Sequence, residues 1–186
     1  MTGTIETVET VVDSSCLINL CAAGDLATIL PPIGLRFVVP PAVKDEVHHL
    51  RRRSGVDAVL EAIDLRGAID AGLIGVCDLE SERETELYVE FAAALDDAEA
   101  MCIAIAAARH WMLAADDRRA LRIAVENGVA MITTPELMRR WAENSSASAE
   151  SVRTALENIE AAARYVPPRD SPEIRWWTKS IEARNG

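Results

Sequence analysis

Five carboxylates stand where a chain of alternating strands and helices would bring them together. Asp13 closes the β-branched run Val8 to Asp13. Asp116 and Asp117 follow the strand-like stretch Trp111 to Ala115. Glu46 lies one turn into the helix expected after the strand Phe37 to Val39, and Glu99 falls in the first turn of an apolar helix. The positive end of a helix favours a carboxylate there. In an open parallel sheet, sites form just beyond the carboxyl ends of the strands, so Asp13 and the Asp116/Asp117 pair converge if their strands are neighbours. Each acid has a plainer role open to it. Asp13 could cap the next helix, Glu99 could serve the helix dipole, Asp116 and Asp117 could be N-cap and first residue of a helix, and Glu46 could be an exposed helix residue. Together they are less ordinary, because two unit charges 4 Å apart at an effective dielectric of about 20 repel by about 4 kcal/mol. Such a cluster persists if a cation sits in it, and an all-oxygen site with few protein ligands and retained waters suits Mg²⁺ or Mn²⁺.

The elements that must position these acids follow from periodicity. Strands are expected at Val8 to Asp13, Phe37 to Val39, Leu73 to Cys77, Trp111 to Ala115 and Val129 to Thr133. These runs are short, β-branched or apolar, and bounded by turn residues. Ser14 or Ser15 can cap a helix Cys16 to Ala23. Pro40-Pro41 starts a helix holding Ala42 to Arg52, and Val59, Leu60 and Ile63 suggest another over Gly55 to Arg66. Leu87, Phe91 and Leu95 mark an amphipathic helix within Glu80 to Leu95. Ala98 to His110 reads as a buried helix, and Arg118 to Asn127 as a third in this half. The alternation predicts an α/β fold: three layers, α/β/α, around a central parallel sheet. From Pro135 onward only helices are signalled: one from Thr134-Pro135 to Ala142, one over Ala149 to Tyr165, and a last one after Ser171-Pro172-Glu173. The expected organisation is a domain over 1–134 with a C-terminal helical extension over 135–186, packed on or beside it.

The 186 residues are 49% hydrophobic and 26% charged, which excludes a disordered chain. The longest uncharged apolar run, Ala100 to Ala108, has nine residues, and a bilayer span needs about 20. Glu6, Glu9 and Asp13, with no base before Arg36, give the wrong charge for a secretory signal. The expectation is a soluble, cytoplasmic protein without membrane contact. Cys16, Cys21, Cys77 and Cys102 form no C-x-x-C pair and read as buried free thiols rather than a zinc site. Net charge is -11, and Asp78 to Glu99 alone carries nine acids against one base. No basic stripe for duplex nucleic acid is present. Local basic clusters remain at Arg51, Arg52 and Arg53, at Arg118, Arg119 and Arg122, and at Arg139 and Arg140.

Four phrases together resemble PIN-domain proteins, the VapC-like toxin ribonucleases and their relatives. VVDSSCLINL (Val11 to Leu20) looks like the family's opening motif, with an Asp closing the first strand and a Ser two places on. VVPPAVKDEV (Val38 to Val47) resembles the proline-led second motif, its acid falling on Glu46. LDDAEAMCIAIAAA (Leu95 to Ala108) resembles the third, its acid on Glu99. MLAADDRRALRIA (Met112 to Ala124) resembles the fourth, a strand running into Asp-Asp-Arg. Ala98 stands where Gly is common, and Ala114-Ala115 replace a frequent Thr before the fourth acid. The resemblance covers about Glu9 to Thr134.

It implies a Mg²⁺- or Mn²⁺-dependent ribonuclease cutting single-stranded or loop RNA, in many bacterial members the toxin of a type II toxin–antitoxin pair. Asp13, Glu46 and Glu99 would bind metal directly or through water, Asp116 and Asp117 compete for the fourth position, and Ser15 would hydrogen-bond Asp13 or a metal-bound water. Asn19 is expected on a helix surface. The residue types suit phosphodiester hydrolysis, which needs a deprotonated water and neutralisation of developing charge, both supplied by a bound metal. The RNA backbone would meet Arg51, Arg52, Arg53, Arg118, Arg119 and Arg122, with the acidic stretch Asp78 to Glu99 facing away apart from Glu99. An antitoxin protein and a homodimer are the expected partners besides RNA. The alternative is a catalytically inert PIN-like binding module. A receiver domain would want an acidic pair near the N-terminus, and a haloacid-dehalogenase-like phosphatase would want Asp-x-Asp where the chain has Asp13-Ser14-Ser15.

Overall fold

Val11, Val12, Phe37, Val38, Val39, Ile74 and Leu113 are all buried, because their strands are covered on both faces. The computed structural model describes the backbone of residues 8–54 and 57–182, and the side chains of these outside 51–60. In chain order the first half comprises β1 (Glu9–Val12), α1 (Ser14–Ala23), α2 (Leu26–Ile33), β2 (Arg36–Val39), α3 (Pro41–Glu46), β3 (His49–Ser54), β4 (Asp57–Ala62), α4 (Leu65–Asp70) and β5 (Ile74–Val76). The second half comprises α5 (Glu82–Ala92), α6 (Asp97–Arg109), β6 (Met112–Ala114), α7 (Arg118–Glu126), β7 (Met131–Ile132), α8 (Thr134–Asn144), α9 (Ala149–Asn158) and α10 (Ile174–Glu182).

Five strands form one parallel sheet in the order β5-β2-β1-β6-β7. Val11 lies between Val38 and Leu113 in register. The order runs from β1 through β2 to β5 on one side and through β6 to β7 on the other, so its direction reverses between β1 and β6. Right-handed crossovers then put helices on opposite faces for the two halves. Accordingly α5, α6 and α7 pack together, while α1, α2, α8 and α9 pack together. The expected three-layer α/β architecture with a central parallel sheet is the one observed.

Two expected helices give way to strands over much of their length. The sequence predicts one helix over Ala42 to Arg52, but α3 ends at Glu46 and His49 begins β3. It predicts another over Gly55 to Arg66, but Asp57–Ala62 pairs antiparallel with His49–Ser54, Arg52 opposite Val59. A short apolar run such as Val59, Leu60 and Ile63 fits either period. The Ser54-Gly55 dipeptide between the two runs is a turn signal that favours the hairpin. The helix α2, with Pro31 and Pro32 inside it, is not among the elements expected from the sequence. The prolines occupy its last turn, before Gly34 in the left-handed region at φ 74°. Pro32 has no N–H for the Thr28 carbonyl, and the Trp141 indole N–H donates to that oxygen instead, at 3.2 Å. Asn144 Nδ2 donates to the Pro32 carbonyl at 3.1 Å, so α8 completes what the prolines leave open.

The C-terminal helices share the core of the sheet. Leu137, Met138, Leu156, Ile159 and Trp177 are buried in the same apolar cluster as Val11 and Leu113. The helix expected over Ala149 to Tyr165 is α9, continued by a π-helical turn, Ile159–Ala163. Arg164 then adopts the left-handed conformation, φ 58°, which turns the chain back towards the sheet at Tyr165. Among the described residues no single helix is long and apolar enough to cross a membrane.

Candidate acidic site

The reversal of strand order between β1 and β6 opens a crevice at their carboxyl ends. Asp13 N–H donates to the Ala114 carbonyl at 3.0 Å, fixing the end of β1 against the end of β6. Asp13 is therefore a strand-spacing away from the chain that carries Asp116 and Asp117. It is also the N-cap of α1, its Oδ1 accepting from the Cys16 N–H at 2.7 Å. Neither Ser14 nor Ser15 caps that helix, because it already begins at Ser14. The Ser15 hydroxyl donates to both oxygens of Asp13, at 3.1 and 3.0 Å. The Ser14 hydroxyl reaches Glu46 Oε2 at 2.5 Å, which ties the exposed end of α3 to the start of α1.

Asp13 is only 3% exposed. Burial pushes its carboxyl up to about 7; the Cys16 N–H opposes this, while the nearby charges of Asp116 and Glu99 add to it. Glu99 sits in the first turn of α6, whose N-cap Asp96 accepts from the Glu99 N–H at 2.9 Å. Its carboxyl is raised as well, first by burial and then by Asp96, Asp117 and Glu46. The same charges thus connect all five acids. Among the described residues no Lys or Arg side chain bonds any of them, so the negative potential is uncompensated.

Asp116 and Asp117 part company in their surroundings. Asp116 is half-buried among four donors. Its Oδ1 accepts from the Thr134 N–H at 2.9 Å and the Tyr165 hydroxyl at 3.0 Å. Its Oδ2 accepts from Asn19 Nδ2 at 3.0 Å and the Thr134 hydroxyl at 2.5 Å. A carboxylate has about four lone-pair sites, and these four donors fill them. Burial still raises its pKa, against the pull of Thr134, Tyr165 and Asn19. Asp117 is the exposed N-cap of α7, and one oxygen, Oδ1, takes the N–H groups of Arg119 and Ala120 at 2.7 and 3.0 Å. Its other oxygen has no such bond.

Three residues of this network lie outside the sequence reading of the site. Asn19, expected on a helix surface, is buried and bridges Asp116 to Thr134. Its signal is that of a lone amide in an otherwise apolar helix. Thr134 lies two residues past β7 and opens α8, so it too stands at a carboxyl strand end. Tyr165 carries no local signal: it reaches Asp116 from 49 residues on, by way of the π-helical turn and Arg164.

Of the basic candidates, Arg118, Arg119 and Arg122 are exposed on α7, directly after Asp117. Arg118 Nη2 meets Asp170 Oδ1 at 2.9 Å. The side chains of Arg51, Arg52 and Arg53 lie outside the described residues. In the acidic stretch, Glu84 is not solvated: it is enclosed, bonds Arg109 Nε at 2.6 Å, and is held down to about 2 by that bond. All four cysteines are buried free thiols. A cavity of about 490 Å³ lies between α2, the β3–β4 hairpin and α4 and contains none of the five acids. A smaller one, about 260 Å³, adjoins Asp116.

A family model described as a PIN domain, DUF3368, matches residues 9–175. The chain belongs to the PIN-domain family. The match runs from β1 past α9, so it takes in Thr134 and Tyr165 as well as the four motifs. A solved PilT N-terminus domain protein from the archaeon Sulfolobus solfataricus P2 is similar at 22% identity and a TM-score of 0.49, covering 75% of this chain and 98% of that one. No curated protein matches the sequence. PIN domains are typically nucleases and generally use divalent metals.

Proposed function

We propose that this PIN domain is a divalent-metal-dependent endoribonuclease whose acidic crevice hydrolyses RNA phosphodiester bonds. The observation that carries the reading is Asp13: a buried carboxylate beside four other acids, with no basic partner among the described residues. The donor set is all carboxylate oxygen, which suits Mg²⁺ or Mn²⁺. Among the described residues no three acids stand close enough to cage an ion between them. Mg²⁺ is usually held by one or two carboxylates, its own waters and substrate phosphates.

Asp13 with Glu99 or Asp117 would hold the ion directly, and Glu46, tied to Ser14, would meet it through water. Asp13 keeps a lone pair on Oδ2, and Asp117 keeps an oxygen unused by its cap. Asp116, with every lone pair taken, acts instead by holding Asn19, Thr134 and Tyr165 around the floor of the crevice. Bound there, a divalent cation would lower the pKa of a water and neutralise charge on phosphoryl oxygens. Ser15 orients Asp13 by donating to both its oxygens. The three histidines, His48, His49 and His110, are exposed and off these motifs, so no imidazole base is assigned. Arg118, Arg119 and Arg122 supply contacts to the RNA backbone.

The test is incubation with a structured RNA in Mg²⁺, Mn²⁺ or chelator, beside Asp13→Asn. Cleavage that needs metal and is lost in the variant supports the reading. The alternative, an inert PIN-like binding module, is favoured by the saturated state of Asp116; RNA intact with both metals would select it. A toxin role, with an antitoxin or a second copy of the chain as partner, belongs to the same proposal. Growth arrest on expressing the wild type, and none with Asp13→Asn, would support it.

A further inference from the structure

The cavity of about 260 Å³ beside Asp116 lies beyond the carboxyl ends of β6 and β7, and no role assigned above uses it. Its walls are apolar and stiff. Leu121 comes from α7, Pro135 from the first turn of α8, and Tyr165, Pro168 and Pro172 from the segment leading to α10. Proline fixes φ, which narrows the conformations open to this segment. Tyr165 is fixed twice more, by its hydroxyl on Asp116 at 3.0 Å and by an edge contact with Trp177, ring centroids 6.2 Å apart. Arg164 sits in the left-handed region to deliver it. That conformation is a common helix ending, and here it closes the π-helical turn before Tyr165.

The rim is polar. Arg118 stands on it, paired with Asp170, and both side chains are largely exposed. Such a pair contributes little, so Arg118 can exchange Asp170 for a phosphate. Within the cavity Glu136 has its Oε2 held by the Thr133 N–H and hydroxyl, each at 2.8 Å. Its other oxygen is left to accept.

We propose that this cavity takes one unstacked nucleobase of single-stranded RNA, from a nucleotide next to the phosphate held at the acids. The Tyr165 ring is its aromatic wall, Arg118 contacts the adjoining phosphate, and Glu136 accepts from an exocyclic amine. Adenine, cytosine and guanine carry that amine and uracil does not. Splayed bases on aromatic side chains are the usual way single-stranded RNA is read. This inference rests on the nuclease reading, because it takes its substrate from there.

The test is a cycle of RNA and protein changes read as binding, in the full chain carrying Asp13→Asn so that RNA stays intact. A short single-stranded oligoribonucleotide is made abasic at one position at a time, and its affinity is measured with and without Leu121→Trp, which fills the cavity. Removing one base should weaken binding about tenfold, the scale of base–aromatic stacking, at a single position, and Leu121→Trp should abolish that sensitivity. The abasic series alone keeps the test decisive if Leu121→Trp does not fold. Equal affinity at every abasic position would overturn the subsite. So would a Leu121→Trp protein with the same abasic profile, as expected if the cavity receives a partner protein's side chain. Metal-dependent cleavage by the wild type alongside either result would leave the nuclease reading standing and remove only the subsite. Neither cleavage nor binding would remove both.

Discussion

Replacing Asp13 with Asn should make the metal-free protein more stable. Asp13 is raised from the ordinary 3.8 to about 7, by burial first and by Asp116 and Glu99 among its neighbours. The folded state therefore holds its proton more tightly than the unfolded one. For this group, stability is greatest below pH 3.8 and is lost as pH climbs through about 7. At pH 8 the buried charge costs about 4 kcal/mol, at about 1.36 kcal/mol for each of roughly three pKa units. Asn caps a helix as well as Asp, and its carbonyl oxygen can keep the bonds from Cys16 and Ser15, though without the charge. A net gain of about 2–4 kcal/mol at pH 8 follows, which for a domain of this size is roughly 4–16 °C in Tm. The assay is thermal denaturation in chelator from pH 4 to pH 8. The gap between variant and wild type should be within about 1 kcal/mol at pH 4 and open steadily to pH 7. With Mn²⁺ added at pH 8, the wild type should gain stability and the variant should gain little, since only the former has the anionic ligand. A variant equal to or less stable than the wild type at pH 8 in chelator would refute the reasoning.

Three other perturbations probe separate parts of the fold. Glu84 is held down to about 2 by Arg109, so its contribution is present above pH 4.5 and fades as pH falls towards 2. Glu84→Gln should cost about 3 kcal/mol at pH 7, measured by urea denaturation, and much less at pH 3. Trp141→Phe removes the donor to the carbonyl that Pro32 leaves open and should cost about 1–3 kcal/mol by the same assay. Arg118→Glu with Arg119→Glu should weaken RNA binding and flatten its salt dependence, by about 0.7 in log–log slope for each phosphate no longer neutralised. An unchanged slope would take those residues off the RNA path.

The acids are legible in the sequence because each sits at an element boundary that short-range rules mark. Asp13 ends a β-branched run, Asp117 precedes a helix, and Glu99 falls three residues after its cap. The pairing of β1 with β6 is not legible, and the crevice depends on it: strand order comes from which apolar faces cover one another, not from any one segment. The β3–β4 hairpin escapes the sequence because a short apolar run fits the strand and helix periods equally well. Asn19 looks like a surface residue because its partners, Asp116 and Thr134, are 97 and 115 residues away. Tyr165 is hidden for a similar reason, as it enters through a π-helical turn and a left-handed arginine that no local pattern announces.

The most direct test of the account is where a divalent ion binds. Crystals soaked in Mn²⁺ at pH 8 should show anomalous scattering in the crevice between β1 and β6, with the ion on an oxygen of Asp13 and of Glu99 or Asp117, at about 2.1 Å. No peak there at millimolar Mn²⁺, or an ion bound only elsewhere on the surface, would contradict it.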